Sequence, residues 1–262
     1  WEQADILDMT VLERGASDHR LDKVVHAAVY TAIREDIEKA DSRRIIDINL
    51  NGTVNLLEMA RQAGVKRFVY VSSGGVYGEG RPLGESLKED MPLDPRSLYG
   101  ATKYASELIT RRYGDLHGME TASGRLGGPY GPMERTTGHR AVMSMMYDWT
   151  GKAVRGEPIQ VQPLPSSGGL TYALDIAGGL AALLDAPALN HSVYNVSRGI
   201  MVTLGELVEA FREAVPDIQF IEVVSKDAEI GGVGTGRGPM DTTRLREDTG
   251  FQPQYDTAAG VK

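Results

Sequence analysis

Val71-Ser72-Ser73-Gly74-Gly75-Val76-Tyr77-Gly78 and, further on, Tyr99-Gly100-Ala101-Thr102-Lys103 are the two stretches on which the reading of this chain turns. The first closes an apolar run, Arg67-Phe68-Val69-Tyr70-Val71, which predicts a buried strand with Ser73 at its carboxyl end. If the second is helical, Tyr99 and Lys103 stand one turn apart on one face, so an ammonium can sit beside a phenol. A phenol ionises near about pH 10 in water, and a close fixed cation lowers that value. The pair therefore reads as a base. Ser73 offers a hydroxyl to the same substrate oxygen, and the three together predict proton removal from an alcohol.

The flanks alternate strand and helix signals. Lys23-Val24-Val25-His26-Ala27-Ala28-Val29 is an apolar run that predicts a strand. Arg43 to Ala63 is predicted helical, with Ile45, Ile46, Leu50, Val54, Leu57 and Met59 broadly on one side and Gly64 as its stop. A proline-bearing loop from Gly78 to Pro95 leads to a helix predicted from Leu98 to about Tyr113, then to a strand from Glu120 to Leu126. Near-continuous apolar strands alternating with helices predict a doubly wound α/β fold with a parallel sheet. After Gly131 the pattern loosens, punctuated by Pro132, Pro158, Pro163 and Pro165, with helices predicted from Asp175 to about Leu184 and near Leu204 to Val215. The stretch Gly231-Gly232-Val233-Gly234-Thr235-Gly236-Arg237-Gly238 reads as a mobile loop, because its glycines fit no phosphate-binding spacing.

Composition narrows the function. A chain of 262 residues with 41% hydrophobic content can build one large core or two unequal lobes. No apolar run approaches the roughly 20 residues that span a bilayer, and Trp1-Glu2-Gln3-Ala4-Asp5 has neither the basic flank nor the apolar segment of a signal peptide. A net charge of −8 argues against nucleic acid or an anionic membrane as the partner. With no cysteine the chain has no disulfide, thiolate metal site or cysteine nucleophile, in keeping with a cytoplasmic home. No metal site is expected, and redox chemistry requires a borrowed cofactor.

In order along the chain, Val25-His26-Ala27-Ala28, Asn49-Leu50-Asn51-Gly52-Thr53-Val54-Asn55, the Ser73 segment, the Tyr99/Lys103 segment, Tyr172 with Asp175-Ile176-Ala177, and Asp241-Thr242-Thr243-Arg244-Leu245 through Gly250-Phe251-Gln252-Pro253 resemble the motifs of the extended short-chain dehydrogenase/reductases, the NAD-dependent epimerase/dehydratase group. The resemblance implies a Rossmann-like sheet with a smaller C-terminal substrate lobe: residues 1–126 for the dinucleotide and 127–262 mainly for the substrate, with 159–196 returning to the main domain. It implies a catalytic trio of Ser73, Tyr99 and Lys103. Cofactor contacts are expected from Asp5, Ile6, His26, Ala27, Ala28, Asn49, Tyr99 and Lys103, with His26 in a packing role and Asn49 acting largely through its neighbours. The cofactor is NAD or NADP, with NAD favoured. A homodimer through the helices of Asn49 and Tyr99 is also implied.

The family's first strand, glycine-rich turn and first helix have no counterpart here, and the chain reads as beginning at the third strand, with Asp5-Ile6-Leu7-Asp8 at the adenine. Such a sheet leaves an apolar edge open, which predicts roughly 50 to 60 further residues upstream. In dehydratases of the family an Asp-Glu pair follows the catalytic hydroxyl residue. Here Gly74-Gly75 stands there, which favours an epimerase or dehydrogenase acting on a secondary alcohol. Nucleotide-sugar members place Asn and Arg where this chain has Gly128 and Gly168, while Arg135 and Arg140 form a short basic cluster nearby. A sugar or sugar acid is therefore the expected substrate, lined by Ser73, Gly74, Gly75, Gly128, Arg135 and Arg140, with nucleotide-sugar 4-epimerisation as the alternative. A non-catalytic dinucleotide-binding regulator or scaffold is the alternative of another class, and the intact trio argues against it.

Overall fold

Phe68 and Tyr70 point to one face of their strand and Val69 to the other, and all three are buried, so this strand must be covered on both sides. The computed structural model describes residues 2–78, 85–137, 140, 142–161, 167–223 and 237–261. In the first half the elements are α1 (Met9–Asp18), β1 (Lys23–His26), α2 (Glu35–Ile46), a π-helical turn (Asp47–Asn51), α3 (Gly52–Gln62), β2 (Arg67–Ser73), a 3-10 turn (Gly74–Tyr77), α4 (Leu98–His117) and β3 (Glu120–Leu126). Then follow β4 (Pro129–Tyr130), α5 (Met145–Arg155), β5 (Ile159–Val161), β6 (Ser167–Gly168), β7 (Thr171–Tyr172), α6 (Ala173–Asp185), β8 (Val193–Val196), β9 (Val202–Thr203), α7 (Leu204–Ala214), β10 (Phe220–Glu222), α8 (Thr243–Thr249) and α9 (Thr257–Val261).

Among the described residues the main sheet has the order β1-β2-β3-β8, all parallel. One face packs Phe68 and Tyr70 against Leu57 and Ala60 of α3, and the other packs Val69, Ala122 and Val196 against Ile176 and Leu183 of α6. This is the doubly wound arrangement. A separate apolar cluster around Trp149, with Ile159, Leu204, Leu207 and Phe211, joins α5, β5 and α7. Because the four strands run the same way, their carboxyl ends, at His26, Ser73, Leu126 and Val196, share one edge of the sheet, where open α/β sheets bind ligands.

Local structure departs from the sequence reading in four places. The first strand stops at His26, paired with Tyr70, although apolar residues continue to Val29. Helix begins at Glu35, and Asp41 breaks its geometry while accepting the Tyr30 hydroxyl at 2.6 Å. Asp5 to Asp8 is no strand: the Asp8 carboxylate caps α1 through the amides of Thr10 and Val11. Helix α4 continues to His117, where Gly118 at φ 68° ends it. The glycine-rich stretch 231–238 lies outside the described residues except for Arg237 and Gly238.

Gly78 closes the turn that follows Ser73. Its φ is 63°, and a Cβ there would lie 2.0 Å from the Asp94 carbonyl oxygen. Gly78→Ala is expected to destabilise the protein by about 1–3 kcal/mol, from left-handed strain and overpacking together, measured as a lower urea midpoint with unchanged slope.

Candidate active site

Ser73 ends β2 at the sheet's carboxyl edge; its hydroxyl accepts from the Gly75 amide at 3.1 Å and lies close enough to the Tyr99 phenol to act on its ionisation. Ser97 caps α4 by accepting from the Gly100 amide at 3.1 Å, so Tyr99 falls in the first helical turn, directly opposite that strand end. Gly75 keeps the approach open, since a Cβ there would sit 3.4 Å from the Ser73 hydroxyl and 3.6 Å from the Tyr99 ring. One turn on, Lys103 is buried; its Nζ donates to the Val71 carbonyl at 2.7 Å, 4.8 Å from the Tyr70 ring centroid and 5.9 Å from that of Tyr99. The structure thus brings the three predicted residues together.

Their electrostatics differ from the expected pattern. Burial pushes the Tyr99 phenol up, and the Ser73 hydroxyl and the Arg140 charge oppose it. Lys103 is itself pulled down to about 7 by burial, against the charge of Glu107. The direction at Tyr99 is set by burial, which outweighs the Ser73 hydroxyl and the Arg140 charge.

Every polar residue of the Asn49-to-Asn55 motif has a partner. Asn49 accepts the Tyr30 amide at 2.7 Å and donates to the Tyr30 carbonyl at 3.1 Å and to Thr102 Oγ1 at 3.2 Å. Its own carbonyl accepts from Thr53 Oγ1 and Ser106 Oγ, an extra demand met within the π-helical turn. Thr53 also meets His26 Nε2 at 2.9 Å, and Asn55 donates to the Ile6 carbonyl at 3.0 Å. Gly52 leaves room for the Ile6 side chain, which a Cβ would meet at 2.4 Å. The motif therefore ties Ile6, His26 and the loop after β1 to the helices. Asp5 is exposed and accepts from the Leu7 amide, and Ala27 and Ala28 are exposed at the end of β1, with small side chains that let a ligand approach the backbone.

Glu107 and Arg125 are the site residues that sequence reasoning missed. Both side chains are 3% exposed and they pair at 2.8 Å. Arg125 Nη1 also donates to the Tyr77 hydroxyl and the Glu89 carbonyl, and the Tyr77 hydroxyl donates to Asn195 at 2.7 Å. Arg125, inside a segment read as a strand, was the one signal in the sequence; Glu107 lies on a helix with other charged residues and gave none.

On the substrate side the predicted residues separate. Gly74 and Gly75 form the turn beside Ser73, and Arg237 donates to the carbonyls of Gly74 and Gly78 at 2.7 and 3.1 Å. Arg140 pairs with Glu134 at 2.8 Å, bridges to Thr31 through its backbone, and exerts its charge on Tyr99. Arg135 is exposed on the same loop. Gly128, at φ 47°, has its Cβ position 1.9 Å from the Gly169 carbonyl oxygen, so the backbone itself excludes an asparagine there. Gly168 is buried in β6, paired with Val202.

Burial pulls the His26 imidazole down to about 3, with the Lys103 charge adding to the effect. A histidine neutral in the fold and near 6.5 when unfolded gives stability that is fully present above 6.5 and is lost as pH falls toward 3. His26→Gln, which keeps a donor toward Thr53, is expected to flatten that slope by up to about 1.4 kcal/mol per pH unit, read from urea titrations across the window.

The NAD dependent epimerase/dehydratase family model matches residues 1–197. The chain is 29% identical to a UDP-glucose 4-epimerase of Mycolicibacterium smegmatis over 99% of its own length and 79% of the relative's. It is 28% identical to a UDP-glucuronate 4-epimerase of Thermodesulfobacterium geofontis, over 81% of this chain and 63% of that one. The UDP-glucose 4-epimerase of Thermus thermophilus, solved in complex with NAD, superposes with a TM-score of 0.80 at 26% identity, over 98% of this chain and 81% of that chain. With the doubly wound sheet and the match running from its first residue to the end of β8, this chain belongs to the NAD-dependent epimerase/dehydratase family.

Proposed function

We propose that the protein is an NAD(P)-dependent epimerase or dehydrogenase that acts on a secondary hydroxyl of a sugar or sugar acid. The observation that carries this reading is Ser73 at the carboxyl end of β2 with Tyr99 in the facing first turn of α4 and Lys103 buried one helical turn behind. Tyr99 takes the proton of the substrate hydroxyl, and Ser73 donates to the same oxygen as it becomes a carbonyl. Lys103 has ammonium protons to spare beyond the one given to Val71, and these suit a ribose hydroxyl and the tyrosinate. The exposed backbone at Ala27 and Ala28, with Asp5 and Ile6 beyond and Asn49 bracing the loop, fits a dinucleotide laid across the sheet edge. Bound there, the nicotinamide would accept the hydride. Return of hydrogen to the opposite face yields the epimer, whereas release of the carbonyl compound makes a dehydrogenase. With glycines at 74 and 75 the turn carries no acid beside Ser73 for expelling water.

The chain is divided, in this proposal, into residues 1–126 for the dinucleotide and 127–262 mainly for the substrate, with 159–196 returning to the main domain; β8 beside β3 and the separate Trp149 cluster support it. A cytoplasmic homodimer through the helices of Asn49 and Tyr99 completes it. Exposed Leu108 and Leu116 on α4 support that contact, and sedimentation tests it. No helix among the described residues is long and apolar enough to cross a membrane. The names of the relatives favour a second reading, nucleotide-sugar 4-epimerisation.

Tyr99→Phe is expected to cut turnover by about 10² to 10⁴ with fold and cofactor affinity retained, followed by nicotinamide absorbance over a panel of sugars, sugar acids and nucleotide sugars. Activity within a few-fold of wild type would remove the phenol from the reaction. Arg140→Gln is expected to raise KM for an acidic sugar about 10- to 150-fold more than for its neutral analogue. Equal effects on both would return Arg140 to a purely structural pairing with Glu134, and a preference for UDP- or dTDP-sugars over every free sugar acid would establish the second reading.

A further inference from the structure

The seam between α4 and the sheet is polar where a helix ordinarily lays an apolar stripe on a sheet. Lys103 and Glu107 are buried against β2 and β3, while Thr102 and Ser106 are buried against the Asn49 turn. Glu107 stands one turn beyond Lys103. Its carboxylate accepts from Ser72 Oγ at 2.5 Å, Arg125 Nε at 2.9 Å and Arg125 Nη2 at 2.8 Å. Ser72 and Arg125 are register partners across β2 and β3, so the clamp sits one residue before Ser73. A buried ion pair is often replaceable by apolar residues without loss of stability, so stability alone does not account for this one.

We propose that Glu107 is a positioning residue for Lys103: clamped by Ser72 and Arg125, its carboxylate locks α4 to the strand of Ser73 and supplies the negative charge that keeps an ammonium in this buried place. The proposal rests on the catalytic reading of Tyr99 and Lys103. The groups around Lys103 are Tyr70 and the Val71 carbonyl from β2, Tyr99 and Glu107 from α4, and neutral His26 from β1. Arg125 of β3 and Tyr77 of the 3-10 turn lie behind Glu107. Glu107 is the anion among them, and it opposes the burial that draws Lys103 toward neutrality.

Two variants of the full-length protein test this. Glu107→Gln/Arg125→Met removes both charges of the pair, leaving no lone buried ion. The alkaline limb of its kcat profile is expected to move about one unit or more to lower pH, with kcat at about pH 8 down roughly tenfold and KM little changed. Affinity for the reduced dinucleotide, read by its fluorescence, should lose the same limb. Arg125→Met leaves the carboxylate unneutralised and should move both limbs to higher pH. Opposite shifts are what a merely structural clamp would not produce. Profiles that superpose on wild type, or losses of one factor at every pH, would overturn the proposal. If the double variant does not fold, a second uncharged pair, Glu107→Leu/Arg125→Met, decides: a limb moved to lower pH supports the proposal and an unmoved limb sinks it. An active Tyr99→Phe would instead overturn the catalytic reading, while the fluorescence titration would still report on Lys103.

Discussion

The ion pair between Glu107 and Arg125 ties α4 to the sheet, and the placement of Tyr99 and Lys103 against β2 goes with it. A helix turns about 100° per residue, so a slip of one position would swing Glu107 away and leave a guanidinium buried alone, at a cost of about 3–5 kcal/mol. Apolar seams tolerate such slips more easily, because one methyl group can replace another. The polar seam on α4 admits one register. In it Tyr99 meets Ser73, Lys103 meets the Val71 carbonyl, and Ser106 meets the Asn49 carbonyl.

Burial sets the chemistry of this pocket more strongly than the neighbouring charges do. Both the phenol and the ammonium are shifted toward their neutral forms, Tyr99 upward and Lys103 downward. The Ser73 hydroxyl and the charge of Arg140 hold Tyr99 back from the full rise, and Glu107 holds Lys103 back from the full fall. Arg140 arrives from beyond β4, bridging to Thr31 in the loop that Asn49 braces, so the charge that acts on Tyr99 depends on a contact between distant parts of the chain.

Strand-like and helical periodicity made much of the architecture legible. The bounds of β2 and the start of α4 were readable because a continuous apolar run and a proline-bearing loop are local signals. The end of β1 was not, because Ala27-Ala28-Val29 is as apolar as the strand before it and only the pairing with β2, which ends at Tyr70, decides where the ladder stops. The first two turns of α2 were missed, the predicted helix starting only at Arg43, because they are acidic and polar and Ile45 is the one buried residue.

The sequence alone placed Ser73 at a strand end and Tyr99 and Lys103 one turn apart on a helix, since strand and helix periods set shared faces, and its ordered motifs, Asn49-to-Asn55 among them, carried the resemblance to the family. Tertiary structure decided the rest. That Gly128 is required by the Gly169 carbonyl, that Arg140 pairs with Glu134, and that Glu107 and Arg125 are buried together all depend on groups far apart in the chain. A charged residue on an amphipathic helix looks solvent-facing until the strand that buries its partner is in place, because burial and pairing are properties of the packed interface and not of either segment.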